Sequence, residues 1–177
     1  MAEAFSNKVA RAAGIVTSTT GGAIGITTNL ITGISTVHVA VNDLVDTGNF
    51  LLGTKVTNIG VSSVTCDRDS TNTAAATNQS VKFLGVTTAY TSSAKSILVG
   101  GTFANNTSQS VNLTVQIYDN SVTTEVAIAG KIPVPNGSSF VISDAGKTVM
   151  EASDEIRIYC DTANAIDATL SILTGVS

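Results

Sequence analysis

Three oxygen-bearing side chains that resemble the opening of a calcium loop are the first candidates for chemistry in this sequence. They are Asp67, Asp69 and Asn72, and in such a loop alternate oxygen ligands converge on one hard cation. The motif requires glycine at its sixth position and glutamate at its twelfth, but Asn72 and Asn78 stand there. The pattern therefore favours an ordinary Asx-rich turn, with Asp67 and Asp69 as the metal-ligand candidates of the chain.

Catalytic side chains are sparse and badly spaced. His38 is the single histidine and lies between two valines, so a strand would turn it away from the apolar face. No serine stands in a G-x-S-x-G nucleophile elbow, and residues 33–37 fail at the last glycine. Asp154 and Glu155 are adjacent and would point to opposite strand faces, which is typical of solubilising charges and not of an acid/base pair. The sequence predicts no catalytic residue, no cofactor and a non-enzymatic role.

The chain is poor in charge for its size. Charged residues make up 12% and hydrophobic residues 43% of the 177 residues, and the mean hydropathy is +0.32. A free monomer is expected to carry about 25 to 35% charged residues on its surface, so these values favour lateral association. The net charge is -4, and Lys8 and Arg11 beside Glu3 are the only paired positive charges. This balance argues against a nucleic acid as partner.

Neither a membrane span nor a secretory signal is apparent in the sequence. No apolar run approaches the roughly 20 residues that cross a bilayer, and the first residues lack a continuous apolar core. We therefore expect a cytoplasmic protein without a membrane partner. Cys66 and Cys160 fall at inward positions of predicted strands and are expected to be buried thiols, with a disulfide as the alternative.

The elements that must position these residues are predicted to be strands. Apolar and polar residues alternate with a period of two through residues 111–117, 156–160 and 166–172, which places each apolar set on one sheet face. This pattern predicts an all-β chain with an antiparallel β-sandwich over residues 86–177. Its strands are expected near residues 95–103, 110–118, 125–131, 139–142, 155–160 and 166–173.

Turn signals separate these predicted strands. Asp144-Ala145-Gly146 is one of several clusters of turn-forming residues that recur along the second half of the chain. Pro133 and Pro135 assign their stretch to a sheet edge or a strand exit, because proline donates no hydrogen bond to a neighbouring strand.

Residues 23–85 indicate a second, smaller all-β module. Short apolar clusters, among them Val37, Val39 and Val41, are separated by Gly, Asn and Asp, so short strands joined by tight turns are expected. We predict a small β-barrel-like module or curled sheet. Residues 67–80 contain almost no large apolar side chain and are expected to form a surface loop that projects towards a neighbour.

Residues 1–22 are predicted to form an N-terminal arm outside both modules. Phe5, Val9 and Ala13 recur at intervals of four, which fits a short amphipathic helix. Such an arm is either a frayed terminus or a segment that docks on a neighbouring subunit. The subunit-contact candidates of the arm and of the 67–80 loop are Phe5, Lys8, Val9, Arg11, Arg68 and Asn72.

Several long segments resemble a known family. They are SNKVARAAG, GISTVHVAVNDLV, GTKVTNIGVSSVTCDRDSTNT, KSILVGGTFANNTSQSVNLTVQIYDN and IPVPNGSSFVISDAGKTVMEASDEIRIYCDTANAIDATLSIL. The chain resembles small virion structural proteins of tailed phages, most closely those of T4-like myoviruses that infect marine cyanobacteria. The resemblance rests on strand and turn patterns and carries no catalytic motif. It implies a virion subunit, assembled in the host cytoplasm, that forms homo-oligomers and contacts other capsid, neck or tail proteins.

Two functions of different classes follow from these observations. The first is a non-enzymatic virion structural protein of decoration or adaptor type, which packs through its β modules onto neighbouring subunits at the capsid exterior, neck or tail. The second is a receptor- or glycan-binding β-sandwich module of a phage adhesion apparatus, because sandwiches present loops at their ends. A hydrolase acting on envelope polymers ranks third, since no carboxylate pair is identifiable.

Overall fold

The chain folds into antiparallel β-strands, as predicted. The computed structural model describes residues 3–143 and 147–176, and no helix occurs among them. The turn predicted at Asp144-Ala145-Gly146 lies outside these residues. In chain order the strands are β1 (Ala4–Ala13), β2 (Ile15–Ile24), β3 (Leu30–Thr32), β4 (Leu44–Asp46), β5 (Val56–Ile59), β6 (Ser63–Cys66), β7 (Ala76–Gly85), β8 (Thr87–Thr91), β9 (Ser96–Asn105), β10 (Val111–Asp119), β11 (Thr124–Val134), β12 (Ser139–Ile142), β13 (Thr148–Met150), β14 (Glu155–Cys160) and β15 (Ile166–Thr174).

These strands group into two compact units. The first unit contains Met1–Gly14 and Thr87–Ser177, and the second is Ile15–Val86. The second unit is therefore inserted in the sequence between β1 and β8 of the first.

The first unit is a sandwich of two antiparallel sheets. Sheet I has the order β1-β15-β9-β12, with β13 also paired to β9, and sheet II has the order β11-β10-β14-β8. Inward side chains of both sheets, among them Phe103, Leu170, Leu113 and Ile158, fill one buried core. The period of two in the sequence corresponds to these inward faces. Pro133 lies in β11 at the edge of sheet II, as its missing donor predicts.

The predicted N-terminal arm and its helix are wrong. Among residues 3–22, residues 4–13 form β1 of the sandwich and residues 15–24 begin the inserted unit as β2. β1 pairs antiparallel with β15, starting from Ala4 opposite Thr174. The first and last strands of the chain are therefore neighbours in sheet I.

The spacing of the apolar residues in β1 explains this error. Phe5 and Val9 are four residues apart, and four is close to one helical turn and is also a multiple of the strand period of two. The same spacing therefore fits a helix or a strand. Residues 4–13 form a strand because the backbone hydrogen-bonding groups along the edge of β15 require partners, and β1 supplies them.

The inserted unit is one six-stranded antiparallel sheet with the order β4-β7-β2-β3-β6-β5. Its core includes Ile24, Ile31 and Phe83. The two ends of the sheet approach each other where Leu44 bridges Lys55. The contact is limited to this bridge and a few backbone hydrogen bonds, so the module is a curled sheet and not a closed barrel.

The strand predicted through Val37, Val39 and Val41 is also wrong. Two turns occupy this stretch, and His38 and Asn42 have φ values of 65° and 74°, which lie outside the β region of regular strands. Only Val39 of the three valines is buried.

Asp43 holds the point where the two ends of the inserted sheet meet. Its carboxylate Oδ2 accepts a hydrogen bond from the amide of Ala40 at 2.8 Å, and its carbonyl accepts one from the amide of Val56 at 3.0 Å. Burial raises the pKa of Asp43, and the hydrogen bond from Ala40 offsets only part of that effect. The carboxylate thus supports the turn at an electrostatic cost.

The chain leaves and re-enters the sandwich at neighbouring points. The amide nitrogen of Gly14 lies 3.4 Å from Oγ1 of Thr87. Gly14 has a φ of 126°, and a Cβ atom there would lie 2.3 Å from the carbonyl oxygen of Thr162, so only glycine fits. The inserted unit also begins and ends on adjacent strands, because Ile15 lies opposite Gly85.

We expect the sandwich to fold without the insertion. Because the two ends of the gap are within hydrogen-bond distance, a short Gly/Ser linker in place of residues 15–86 should close it without strain. Far-UV circular dichroism and urea unfolding should show one cooperative transition for this variant, and residues 15–86 produced alone should show another. A linker variant without cooperative unfolding would contradict the independence of the sandwich.

The buried carboxyl of Asp43 predicts a specific pH dependence of stability. The pKa of Asp43 in the folded chain lies above 3.8, its ordinary value in the unfolded chain. Between the unfolded and the folded pKa, the folded chain therefore binds more protons than the unfolded chain. The contribution of this group to the free energy of unfolding therefore falls as the pH rises through that window. Asp43→Asn keeps an acceptor for the Ala40 amide and removes the ionisation, so it should gain stability relative to the natural chain over the same window.

Urea unfolding from about pH 3 to about pH 7 measures this difference. Asp69→Asn, which changes an exposed carboxylate of the same unit, is the control. If Asp43→Asn and the natural chain show the same pH dependence, the role assigned to the Asp43 carboxyl is wrong.

Candidate interaction surface

The outer face of sheet I exposes apolar side chains without charges among them. Because opposed residues of antiparallel strands share a face, the strand register places Phe5 of β1, Leu173 of β15, Ile97 of β9 and Val149 of β13 in one row. Phe5 is 63% exposed and Val149 is 54% exposed. This row crosses the full width of the sheet.

A second row runs parallel to the first. Val9 of β1 is followed by Thr169, Thr102 and Val141 on successive strands. Val9 is 74% exposed. Between the rows, the hydroxyl of Ser171 donates a hydrogen bond to Oδ1 of Asn7 at 3.2 Å. These residues together form what we call the outer face of sheet I, and ionisable residues of the same alternation, Glu3, Arg11 and Asp167, lie only at its ends.

β1 forms one edge of sheet I. It is ten residues long, and within residues 3–143 and 147–176 no strand pairs with it on the side away from β15. Its register shifts only between Ala10 and Ala13. At this shift the amide of Ala12 donates a hydrogen bond to Oδ1 of Asp167 at 2.7 Å. An exposed strand edge of this kind presents unpaired backbone donors and acceptors to other chains.

The structure places the four contact candidates of β1 on two faces. Phe5 and Val9 lie on the outer face of sheet I, and Arg11 is exposed near the register shift. Lys8 is opposed to buried Leu170 and is therefore on the inward face of the edge strand, half-buried. Sequence reasoning from a helix could not separate these faces.

The other two contact candidates lie in a loop that is tied to its own unit. Arg68 is exposed and donates through Nη1 to the carbonyl of Leu52 at 3.1 Å. Nδ2 of half-buried Asn72 donates to the carbonyl of Ile24 at 3.4 Å. Buried Ser70 donates to the carbonyl of Gly25 at 2.8 Å. The predicted surface loop is therefore confirmed over residues 67–75, where these hydrogen bonds hold it on its own unit, but its last five residues belong to β7.

The carboxylate of Asp67, one of the two metal-ligand candidates, interacts with groups of the protein. Its Oδ1 accepts a hydrogen bond from the amide of Lys55 at 2.8 Å, and its Oδ2 lies 3.9 Å from Nε of Arg68. Asp69 is exposed. In the part of the chain that the structure describes, no group of three or more His, Cys, Asp or Glu side chains is placed to hold a metal ion.

The residues considered for catalysis lie apart. His38 is exposed in a turn, and its carbonyl accepts a hydrogen bond from the hydroxyl of Thr17 at 3.0 Å. The interpretation of Asp154 as a solubilising charge is wrong, because this residue is only 5% exposed. Its carboxylate accepts hydrogen bonds from the amides of Asn120 at 3.0 Å and Glu151 at 2.8 Å. It supports two turns of the sandwich.

A polar cluster that sequence reasoning missed lies on the outer face of sheet II. Nε of Arg157 donates to Oε2 of Glu155 at 2.7 Å, and its Nη1 pairs with Glu125. The guanidinium carbon lies 3.8 Å from the centre of the Tyr118 ring. The hydroxyl of Tyr159 donates to Glu125 at 3.3 Å. This cluster joins β14, β10 and β11 through side chains.

Burial and the two glutamates act in opposite directions on the pKa of Arg157. Desolvation lowers it, and the hydrogen bonds with Glu155 and Glu125 raise it by more, so the net direction is upward. The guanidinium stays charged and keeps both carboxylates compensated.

Cys66 and Cys160 are buried thiols that form no disulfide. Burial, reinforced by the charge of Asp67, raises the pKa of Cys66 to about 12. Since the thiolate is the reactive form, Cys66 is protected from alkylation and oxidation at neutral pH.

A small depression lies in the inserted unit. Its volume is about 350 Å³, and no charged residue lines it. The lining residues are Ala23, Ile24, Gly25, Thr28, Leu30, Thr32, Ala75, Ala76 and Thr77. The depression lacks the charged or aromatic side chains that orient a charged ligand or stack on a sugar.

This chain matches no protein-family model, no curated protein and no solved structure. Residues 3–143 and 147–176 contain no long apolar helix of the kind that spans a bilayer.

Removing the arginine of the polar cluster should cost much more stability than removing an exposed lysine. Arg157→Met leaves the carboxylate of Glu125, whose side chain is 3% exposed, without its cation, and we expect a loss of about 3 kcal/mol in the free energy of unfolding. The control is Lys95→Met, which breaks an exposed pair with Glu151 and should cost less than about 1 kcal/mol.

Urea unfolding measures both losses. Adding Glu125→Gln to the Arg157→Met background should recover part of the stability, because no uncompensated charge then remains buried. Equal losses for the arginine and lysine variants would contradict the assignment of Arg157 as a buried compensating charge.

Proposed function

We propose that this chain is a non-enzymatic structural subunit of a tailed-phage virion that packs through its β surfaces onto neighbouring subunits. Its place is the capsid exterior, the neck or the tail, as a decoration or adaptor protein assembled in the host cytoplasm. The outer face of sheet I supports this proposal most directly, because it is a strand surface with apolar rows and no charge among them. Exposed apolar surface of this kind is typical of protein interfaces.

The low charge of the chain strengthens the argument. Charged residues are 12% of the sequence, about half of the lower bound expected for the surface of a free domain. Several of these few charges are used inside the structure, as Asp43, Asp154 and Arg157 show. The few remaining charges leave large parts of the exterior uncharged, and contact with neighbouring subunits removes that surface from water.

The receptor- or glycan-binding alternative has less support from the side chains. Tyr90 and Tyr159 are buried, and the ring of Tyr118 lies beside the guanidinium of Arg157. These tyrosines do not form a sugar-stacking platform.

The proposal is tested by the composition of purified particles. In cells infected by the phage that encodes the chain, particles recovered by density gradient should contain it at a fixed copy number relative to the major capsid protein. Absence of the chain from intact particles, with the protein left in the lysate, would refute a structural role.

A pair of lysine substitutions tests the surface. Val149→Lys introduces a charge into the outer face of sheet I and should reduce incorporation about tenfold or more, because the charge must be desolvated in the contact. Val122→Lys changes an exposed valine outside sheet I and should leave incorporation unchanged. Equal incorporation of the two variants would show that this face is not the packing surface.

A further inference from the structure

The side chains along β1 are complementary to themselves when the strand is reversed. Its outward residues, read with Glu3 just before the strand, are Glu3, Phe5, Asn7, Val9 and Arg11. An acid at one end, a base at the other and apolar residues on both sides of a central amide form a pattern that pairs with its own antiparallel copy. We propose that β1 pairs with β1 of a second copy of this chain across a two-fold axis, which extends sheet I through both copies.

One register satisfies every outward pair at once. With Asn7 on the axis, Phe5 lies opposite Val9 of the second copy, and Glu3 lies opposite Arg11. By symmetry each of these pairs occurs twice, as an isologous contact requires. Aromatic pairs with β-branched residues and pairs of opposite charges both stabilise antiparallel strands. The contact therefore has apolar pairs near its centre and ion pairs at its two ends.

The inward face of β1 excludes a neighbouring register. In the proposed register half-buried Lys8 lies opposite Ser6 of the second copy, which is neutral and polar. A shift by one pair in one direction places Lys8 opposite Lys8, and like charges directly opposed are destabilising. A shift in the other direction places Phe5 opposite Asn7 and Glu3 opposite Val9, which loses both the ion pairs and the apolar pairs. Lys8 thus favours one register of an ordered dimer over unselective association of strand edges.

The other edges of the sandwich are protected against such pairing. β11 contains Pro133 and two register shifts, β8 has five residues with a shift, and β12 and β13 have four and three residues. β1 has ten residues without proline, and its register shift is confined to the end beyond Ala10. Short strands, proline and bulges protect the other edges, and β1 lacks all three over residues 4–10; its inward Lys8 is the one charge in this stretch and acts by excluding a register.

This inference deepens the proposed function and rests on it for its biological meaning, since it names the first neighbour of the subunit. Its test is separate, because it needs only the purified full-length chain, whereas the structural role is tested by the composition of particles. A dimer with no place in the particle would refute the role, and a monomer found in the particle would refute the dimer.

Charge reversal tests the register. We expect sedimentation equilibrium at low salt to show a dimer for the natural chain. Glu3→Arg or Arg11→Glu alone opposes like charges at both ends of the contact and should raise the dimer dissociation constant about tenfold. The double variant Glu3→Arg with Arg11→Glu restores opposite charges and should recover dimerisation. Both residues are exposed, and the unfolding transition of each variant verifies that the fold is kept.

Cysteine cross-linking tests the axis. Asn7→Cys places two thiols directly opposite each other, about 5 Å apart between Cα atoms, which a disulfide spans. Ser171→Cys is the matched control: it opposes Asn7 on the same face of β15, but its copies would lie about 14 Å apart across three strand spacings. The natural cysteines are buried and give little background. Under mild oxidation Asn7→Cys should form a covalent dimer and Ser171→Cys should not.

Any of several results would overturn the proposal. They are a natural chain that stays monomeric at high concentration, a double charge reversal no tighter than the single variants, and a Ser171→Cys chain that cross-links as well as Asn7→Cys. A dimer that is insensitive to all of these changes uses another surface and also overturns it.

Discussion

The hydrogen-bond ladder between β1 and β15 is the interaction on which the organisation of this chain depends. It joins the two ends of the sequence, with Ala4 opposite Thr174, and it satisfies the outer backbone groups of a strand whose side chains Leu170 and Ile172 are buried in the core. Because this pairing makes the first strand part of the sandwich, residues 15–86 are an insertion and not an N-terminal domain. The chain leaves and re-enters the sandwich at neighbouring residues, Gly14 and Thr87.

A second constraint is the use of charge. The chain has 9 basic and 13 acidic residues, and several of them serve the interior or the backbone. Asp161 receives the amide of Asn112 at 2.9 Å and its side-chain amide at 2.7 Å, and Arg157 compensates two glutamates on the outer face of sheet II. Charged side chains that are hydrogen-bonded or paired in this way stabilise turns and strand contacts but do not solvate the exterior. The outer face of sheet I shows the result most clearly.

The β1 edge and the outer face of sheet I belong to the same sheet, so the two proposed contacts would combine. Pairing through β1 would extend sheet I across the two-fold axis and make the outer faces of both copies continuous. The apolar rows of the two copies would then be continuous, with the Glu3–Arg11 pairs at the ends of the contact. In the proposed assembly the edge would select a second copy by register and charge, and the face would offer apolar area. Many equivalent contacts in a symmetric particle strengthen such weak individual surfaces.

The sequence by itself determined the all-β class and most strands of the sandwich. Burial on one face of a strand produces an alternation of period two, and residues 111–117 and 166–172 show it directly. It also determined the scarcity of charge and the inward cysteines, since these depend on composition and local pattern alone.

Only the tertiary structure decided the role of the residues whose local pattern fits two elements or whose partners are distant. Phe5 and Val9 are four apart, a spacing that fits a helix and a strand equally, and the free edge of β15 made the choice. Arg157 meets Glu125 only because β10 lies between their strands, with 32 residues separating the two in sequence. Asp154 is buried because folding brings two backbone amides to its carboxylate. Such contacts depend on strand order and register, which no local window of sequence contains.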